Sequence, residues 1–217
     1  MAAKRKPKLF VPTEPLRLDL GSGPRPAEGF RGVDIVPGVT DFCVDLCAPI
    51  PWPWADNSVD ELRSSHVIEH LDAGYIYPPG YAGRIDVLLY FFDEAFRVAK
   101  PGVTFTFQWP ALQSVRAFQD PTHRRFIPAE TTIYLSREGR KQMGVEHYGA
   151  KCNWIGNIQP TIQAPIETDE DKAMALRADS SDEKQAWMQK RIAEQTRMYR
   201  GEWNFSNDFI AVMKAVK

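Results

Sequence analysis

Apolar and polar positions alternate in short runs through the first part of the chain and fall into helical spacing in only a few places. Leu16-Arg17-Leu18-Asp19-Leu20 has the period of a half-buried strand and stops at Gly21-Ser22-Gly23-Pro24. A second short strand fits Gly32 to Ile35, and a third fits Thr40 to Leu46, where Phe42 and Val44 alternate with Asp41 and Asp45. Asp56-Asn57-Ser58 reads as a turn into a fourth strand over Val59 to Ser64. Ile85, Leu88, Leu89, Phe92, Phe96 and Ala99 stand three and four apart and predict a helix from Ile85 to Ala99. Val87, Phe91 and Val98 make its other side apolar too, so deep packing is expected. Lys100-Pro101-Gly102 ends it and leads into a Phe- and Thr-rich strand over Val103 to Trp109.

Past Pro128 the pattern predicts a second helix through Ile133 and Leu135, then a strand within Tyr148 to Ile158. Glu167 to Asp182 is acidic and reads as a solvated loop. Ser180 with Glu183 has the form of a capping box, and Met188, Ile192 and Tyr199 mark one face of a further helix. Phe209 to Val216 fits a last strand. Strands alternating with helices predict an α/β domain. Residues 1–12 read as a basic, flexible tail and 13–217 as a single domain, with a loop and helix inserted over 160–200.

Composition is ordinary for a soluble globular protein: of 217 residues, 43% are apolar and 25% charged. The 27 basic and 28 acidic residues leave a net charge of -1, so a nucleic-acid partner is left open but unsupported. The longest uninterrupted apolar run, Val87 to Phe92, falls far short of the roughly 20 residues of a membrane span. Lys4, Arg5, Lys6 and Lys8 imitate the start of a signal peptide, but Pro12, Glu14 and Pro15 break up the apolar stretch required next. Three cysteines, Cys43, Cys47 and Cys152, form no Cys-x-x-Cys pair and fit a reducing compartment. The expectation is a cytoplasmic protein. Fifteen of the 17 prolines lie at or before Pro128, which favours short strands and turns there.

Candidate chemistry gathers where strands end. In an open α/β sheet, ligands bind beyond the carboxyl ends of the strands. Gly21 and Gly23 let backbone approach a ligand, and Asp34, closing the second strand, can accept from both hydroxyls of a ribose. A dinucleotide site wants a third glycine and a helix whose amides face the pyrophosphate. Pro26 occupies that glycine position, and Pro24 and Pro26 remove amide donors and oppose a helix. A nicotinamide-dependent enzyme is therefore disfavoured.

At this point the sequence resembles a known family. Leu18-Asp19-Leu20-Gly21-Ser22-Gly23 resembles the first motif of class I S-adenosylmethionine-dependent methyltransferases, in particular their small type 11-like branch. Val33-Asp34-Ile35 resembles the second, acidic motif and Val44-Asp45-Leu46 the third. Asp56 to Asp60 and Ser64-Ser65-His66-Val67-Ile68-Glu69-His70-Leu71 resemble the fourth strand and the segment after it. Phe96 to Gly102 resembles the helix end before the fifth strand. The motifs cover residues 16 to 128 in the family's order.

The resemblance implies a mostly parallel, Rossmann-like methyltransferase sheet and S-adenosyl-L-methionine as cofactor. Gly21, Ser22 and Gly23 would line the methionine portion, with Asp19 anchoring the loop or the amino group. Asp34 would hold the ribose and Asp45 the adenine amino group, with Ile35 and Leu46 on either side of the ring. Ser65 or His66 would lie near the sulfonium. Gln119-Asp120-Pro121-Thr122-His123-Arg124-Arg125-Phe126 resembles a segment of small bacterial and phage methyltransferases. It offers His123 as general base, Asp120 as its orienter, and Arg124 and Arg125 for an anionic acceptor.

About ten residues separate the first two strands and about four the next two, too few for helical crossovers of a dozen or more. The first crossover helices must be shortened or missing. A parallel sheet normally has both faces covered, so either the C-terminal helix or a second subunit is expected over the bare face, and a homodimer is one solution.

Structural roles compete at several positions. His123 could be a loop histidine, and Glu69 and His70 could brace the turn after the fourth strand. Cys43, Cys47, His66 and His70 match no strong zinc pattern, so no metal is expected. Tyr75 to Tyr81 could be a lid or a surface loop. Trp52 and Trp54 fit a core or an adenine-pocket wall better than a base-stacking platform. Lys190, Arg191, Arg197 and Arg200 fit a solvated helix face. The acceptor expected is a small molecule or a sugar-containing compound, since no Asn/Asp-Pro-Pro-Tyr motif for amino-group acceptors is present. The competing function is a non-catalytic binding protein on the same scaffold.

Overall fold

The computed structural model of the protein describes residues 9–112, 114–162, 185–187 and 207–217. Strands β1 (Arg17–Leu20), β2 (Arg31–Asp34), β3 (Phe42–Cys43) and β4 (Glu61–Ser65) come first. A small ladder comes next, of β5 (Tyr75–Ile76) and β6 (Ile85–Asp86), then helix α1 (Val87–Val98) and β7 (Thr104–Pro110). Short helices α2 (Arg116–Gln119) and α3 (Arg137–Gln142) precede β8 (Trp154–Ile162) and β9 (Asn207–Ala215). Seven strands form one sheet in the order β3-β2-β1-β4-β7-β9-β8. β9 alone runs antiparallel, between β7 and β8. The order from β3 to β7 is that of a doubly wound sheet, so the fold is the mostly parallel, Rossmann-like one expected, with no helix joining β1 to β2, β2 to β3 or β3 to β4.

One face of the sheet holds the core. Leu18 and Leu20 of β1, Leu62 of β4, Phe105, Phe107 and Trp109 of β7, and Ala211 and Met213 of β9 are buried on that side. Helix α1 lies over them: Phe92 meets Phe105 and Phe107, Phe91 meets Trp52, and Phe96 meets Trp154. Trp52 and Trp54 are fully buried here. Two acids on the helix bind loops to it. Asp93 accepts from the Tyr81 hydroxyl (2.6 Å) and from the Lys151 and Cys152 amides, and Glu94 from the Trp52 amide (2.7 Å).

The opposite face shows how the sheet manages without those crossovers. In register across it stand Arg17 with Glu61, Asp19 with Arg63, then Thr106 and Gln108. Arg17 pairs with Glu61, and Arg63 with Asp19 at 2.9 Å. This parallel sheet alternates apolar and polar like a one-sided antiparallel sheet. An apolar cover by helix or second subunit is therefore not required by this face.

Several elements differ from the sequence expectation for local reasons. The third strand shrinks to two residues because Asp45 Oδ1 accepts the Cys47 amide (2.9 Å) and turns the chain. Ile85 and Asp86 pair with β5 rather than opening the helix; Asp86 is its N-cap, accepting the Leu88 amide at 2.8 Å. The helix past Pro128 is a 3-10 turn over Ala129–Leu135 followed by α3. Within the tail, Phe10 bridges to Trp54, its N–H donating to the Pro53 carbonyl at 2.6 Å. The acidic loop, the capping box and the helix face of Met188, Ile192 and Tyr199 lie outside the described residues. Among the described residues no helix is long and apolar enough to cross a membrane.

Candidate functional site

The loops leaving β1, β2, β3 and β4 meet beyond the carboxyl ends of these strands and enclose a cavity of about 300 Å³. Gly21, Asp34, Ile35, Asp45 and Leu46 line it, together with Val44, Cys47, His66, Val67, His70 and Leu71. The first loop is a run of turns with no helix after it. Gly21 adopts φ +70° and sits where any Cβ would collide with Val67, so the loop closes directly onto the turn after β4. Its amide and that of Ser22 both reach the Val33 carbonyl.

Asp34 is held by backbone on both sides. Its Oδ2 accepts the Gly23 amide at 2.9 Å and its Oδ1 the Val36 amide at 3.0 Å. Each oxygen keeps a lone pair for a ligand hydroxyl. Asp45 commits Oδ1 to its own turn. Ile35 is 61% exposed and Leu46 buried, so one edge of the cavity is an open apolar wall and the other belongs to the core.

Asp19, Ser22, Gly23 and Ser65 do not line the cavity. Asp19 is buried, its Oδ2 taken by the Ala27 amide (2.8 Å) and Arg63, which makes it an anchor for the loop. Ser22 bonds its hydroxyl to the Gly23 carbonyl, and Ser65 ends β4 opposite Gln108.

His66 has φ +56°, a left-handed conformation that costs a non-glycine residue about 1–2 kcal/mol. Its N–H donates to the Gln108 carbonyl. Its Nδ1 lies 3.1 Å from Glu69 Oε1 and its Nε2 3.4 Å from Asp208 Oδ2. The bonds to Asp208 and Glu69 outweigh burial and push the imidazole pKa up to about 9. At neutral pH His66 is a cation with both ring protons committed, so it positions neighbours and is no proton acceptor. Burial pushes the Asp208 carboxyl up, but bonds from His66 and Gln108 outweigh it and hold it below the usual carboxylate range. Asp208 sits at the start of β9 and reaches this turn because β9 returns antiparallel along β7. No sequence pattern marked it.

The loop after β7 supplies the remaining candidates. His123 does not line the cavity but packs edge-on against His70, which does, with ring centroids 4.6 Å apart. Its Nδ1 faces the Ala117 carbonyl at 2.8 Å, so this nitrogen carries the proton. Asp120 meets His123 through its backbone carbonyl, which accepts the His123 amide at 3.2 Å; its carboxylate accepts from the Thr122 hydroxyl at 2.6 Å, and Thr122 Oγ1 lies 3.0 Å from His70 Nδ1. Arg125 is spent on the carbonyls of Leu71 and Asp72 and on Asp86, bracing the two loops, while Arg124 is exposed. Tyr75 of the Tyr75 to Tyr81 segment lines a second cavity of about 520 Å³, with Arg84, Tyr134, His147 and Tyr148.

No family model matches the sequence, and no curated protein matches it. Among solved structures, a SAM-dependent methyltransferase from Archaeoglobus fulgidus is similar with a TM-score of 0.48 at 18% identity, over 92% of this chain and 86% of that one. A putative sarcosine dimethylglycine methyltransferase from Galdieria sulphuraria is similar with a TM-score of 0.48 at 14% identity, over 93% and 78%. Likeness at this level leaves the chemistry to be argued from the chain's own residues.

Proposed function

We propose that the chain is an S-adenosylmethionine-dependent methyltransferase acting on a small or sugar-containing acceptor. The observation that carries this reading is the charge of the cavity. Asp34 and Asp45 line it, its cation His66 is already paired with Glu69 and Asp208, and no lysine or arginine lines it among the described residues. No helix N-terminus faces it from the first loop either. Such a lining repels the pyrophosphate of a dinucleotide and suits a cationic adenosyl ligand without phosphate.

The residues present fit that cofactor. Asp34, oriented by two amides, would accept from the ribose hydroxyls. Asp45 would accept from the adenine amino group with its second oxygen, with Ile35 and Leu46 on either side of the ring. Asp19 and Gly21 shape the loop around the methionine portion. S-adenosylmethionine supplies, when bound, an electrophilic methyl group on a sulfonium. The chain's part is then to hold the acceptor in line and exclude water. His123, with its Nδ1 proton fixed by Ala117, presents Nε2 as the base for a protonated acceptor.

Thermal unfolding of dialysed protein with S-adenosylmethionine, S-adenosylhomocysteine and NAD, each in excess, tests the reading. A ligand at 100 times its Kd adds about 2.7 kcal/mol. For a chain of this size that raises Tm by about 5–11 °C. The first two ligands are expected to do so and NAD is not. No shift with either sulfur ligand overturns the proposal, and binding without turnover on any acceptor returns the scaffold reading.

A further inference from the structure

We propose that Glu69, His70 and His123 form a binding site for one divalent transition-metal ion of the zinc, manganese or cobalt class. The three come from neighbouring parallel strands. Glu69 and His70 lie on the turn after β4, and His123 on the loop after β7. The Arg124 and Arg125 amides both donate to the Glu69 carbonyl, at 2.8 and 3.0 Å, and staple the loops together. One donor atom from each residue lies within 4.8 Å of those of the other two.

The hydrogen bonds around the cluster decide which atoms are offered. His123 gives its Nδ1 proton to the Ala117 carbonyl. Thr122 gives its hydroxyl proton to Asp120, so its oxygen receives the Nδ1 proton of His70. Both rings are thereby left with Nε2 as a bare acceptor. A ring N–H donated to a carbonyl or a carboxylate-linked group is the usual support of a metal-bound histidine. Glu69 completes the set. Its side chain is 3% exposed, Oε1 faces His66, and Oε2 is buried with no hydrogen-bond partner among the described residues. A buried carboxylate oxygen without a partner is costly, and a cation held by Glu69 together with the two imidazoles would satisfy it.

Two nitrogens and one oxygen suit borderline divalent metals better than magnesium or calcium, and three protein ligands leave a position open. With bonds of about 2.0–2.1 Å, tetrahedral ligand atoms stand about 3.4 Å apart, so donor atoms as far as 4.8 Å from one another would draw together around an ion. Neither Cys43 nor Cys47 joins the cluster. Because His70 also lines the main cavity, the open position suits an acceptor oxygen, and with an ion on its Nε2 His123 would serve as a ligand in place of the base role it has in the metal-free site. That consequence rests on the methyl-transfer reading, whereas metal binding does not.

The test uses full-length protein stripped with chelator and titrated with Zn²⁺ by calorimetry and with Co²⁺ by visible absorption. Wild type is expected to bind one equivalent. His70→Ala and His123→Ala should each weaken binding by more than about 100-fold, while His147→Ala should not change it. Thr122→Val, at an exposed position, removes the hydroxyl that links His70 to Asp120 while leaving all three ligands in place, and should weaken binding by about 10-fold or more. Circular dichroism confirms that each variant folds. No saturable binding, or binding indifferent to His70→Ala and His123→Ala, overturns the site. S-adenosylhomocysteine affinity measured in chelator separates this failure from failure of the methyltransferase reading.

Discussion

The backbone amide of Gly23 donates to Asp34 Oδ2 at 2.9 Å, tying the first loop to the acid that ends the second strand. Asp34 therefore shapes the loop and faces the ligand at once. Asp34→Ala removes two charge-assisted bonds to ribose hydroxyls, each worth about 1.5 kcal/mol at the lower end of such bonds. Affinity for S-adenosylhomocysteine should fall by about 150-fold in calorimetry. Asp34→Asn keeps one acceptor oxygen and should fall between. Unchanged affinity in Asp34→Ala would refute the ribose role.

Gly21 and Val67 make a second testable contact. Gly21→Ala meets two penalties, a left-handed φ costing about 1–2 kcal/mol and a collision with Val67. Val67→Ala relieves only the collision. Urea unfolding of both single variants and the double variant should show the double less destabilised than the sum. Additive losses would mean that Val67 moves aside without cost.

The apolar spacing from Ile85 to Ala99 announced α1, and strand ends marked by Gly21, Asp34 and Asp45 announced the cavity, because those signals are local. The ladder made by Ile85 and Asp86 was hidden by apolar neighbours that continue the helical spacing. The polar face of the sheet was readable in principle from Arg17, Asp19, Glu61 and Arg63, yet the rule that parallel sheets are covered on both sides masked it. Asp208 beside His66 and His70 beside His123 were not legible. Those pairs depend on which strands are neighbours, and no single segment encodes strand order.

Asp60 gives a prediction for pH. Its Oδ1 accepts from Lys100 Nζ at 2.6 Å and its Oδ2 from the Leu16 amide at 2.9 Å, joining the end of α1 to the start of β1. The Lys100 bond, helped by the Leu16 amide and only partly opposed by burial, holds the carboxyl below its usual range. A carboxyl depressed in the folded state stabilises fully above its unfolded pKa of about 3.9 and loses that contribution as pH falls through the folded value. The stability gap between wild type and Asp60→Asn should be flat above about pH 5 and narrow below about pH 4. Urea midpoints from pH 3 to 7 measure it, and a gap that widens in acid would contradict the assignment.

His123 separates positioning from chemistry. Its ring lies behind His70, outside the cavity lining, so its removal should leave S-adenosylhomocysteine affinity within about threefold of wild type. Its Nε2 is the group left for a proton or a cation once Nδ1 is bonded to Ala117. Loss of a positioned acid–base group costs about 10²- to 10⁴-fold in rate. His123→Ala should therefore depress kcat by that range once an acceptor is found, with the cofactor Kd nearly unchanged. His123→Asn places its amide nitrogen at the Nδ1 position and can still donate to the Ala117 carbonyl, so it should preserve the loop and melt like wild type while remaining as slow as His123→Ala. Recovery of turnover in His123→Asn would show that the imidazole only holds the loop in place.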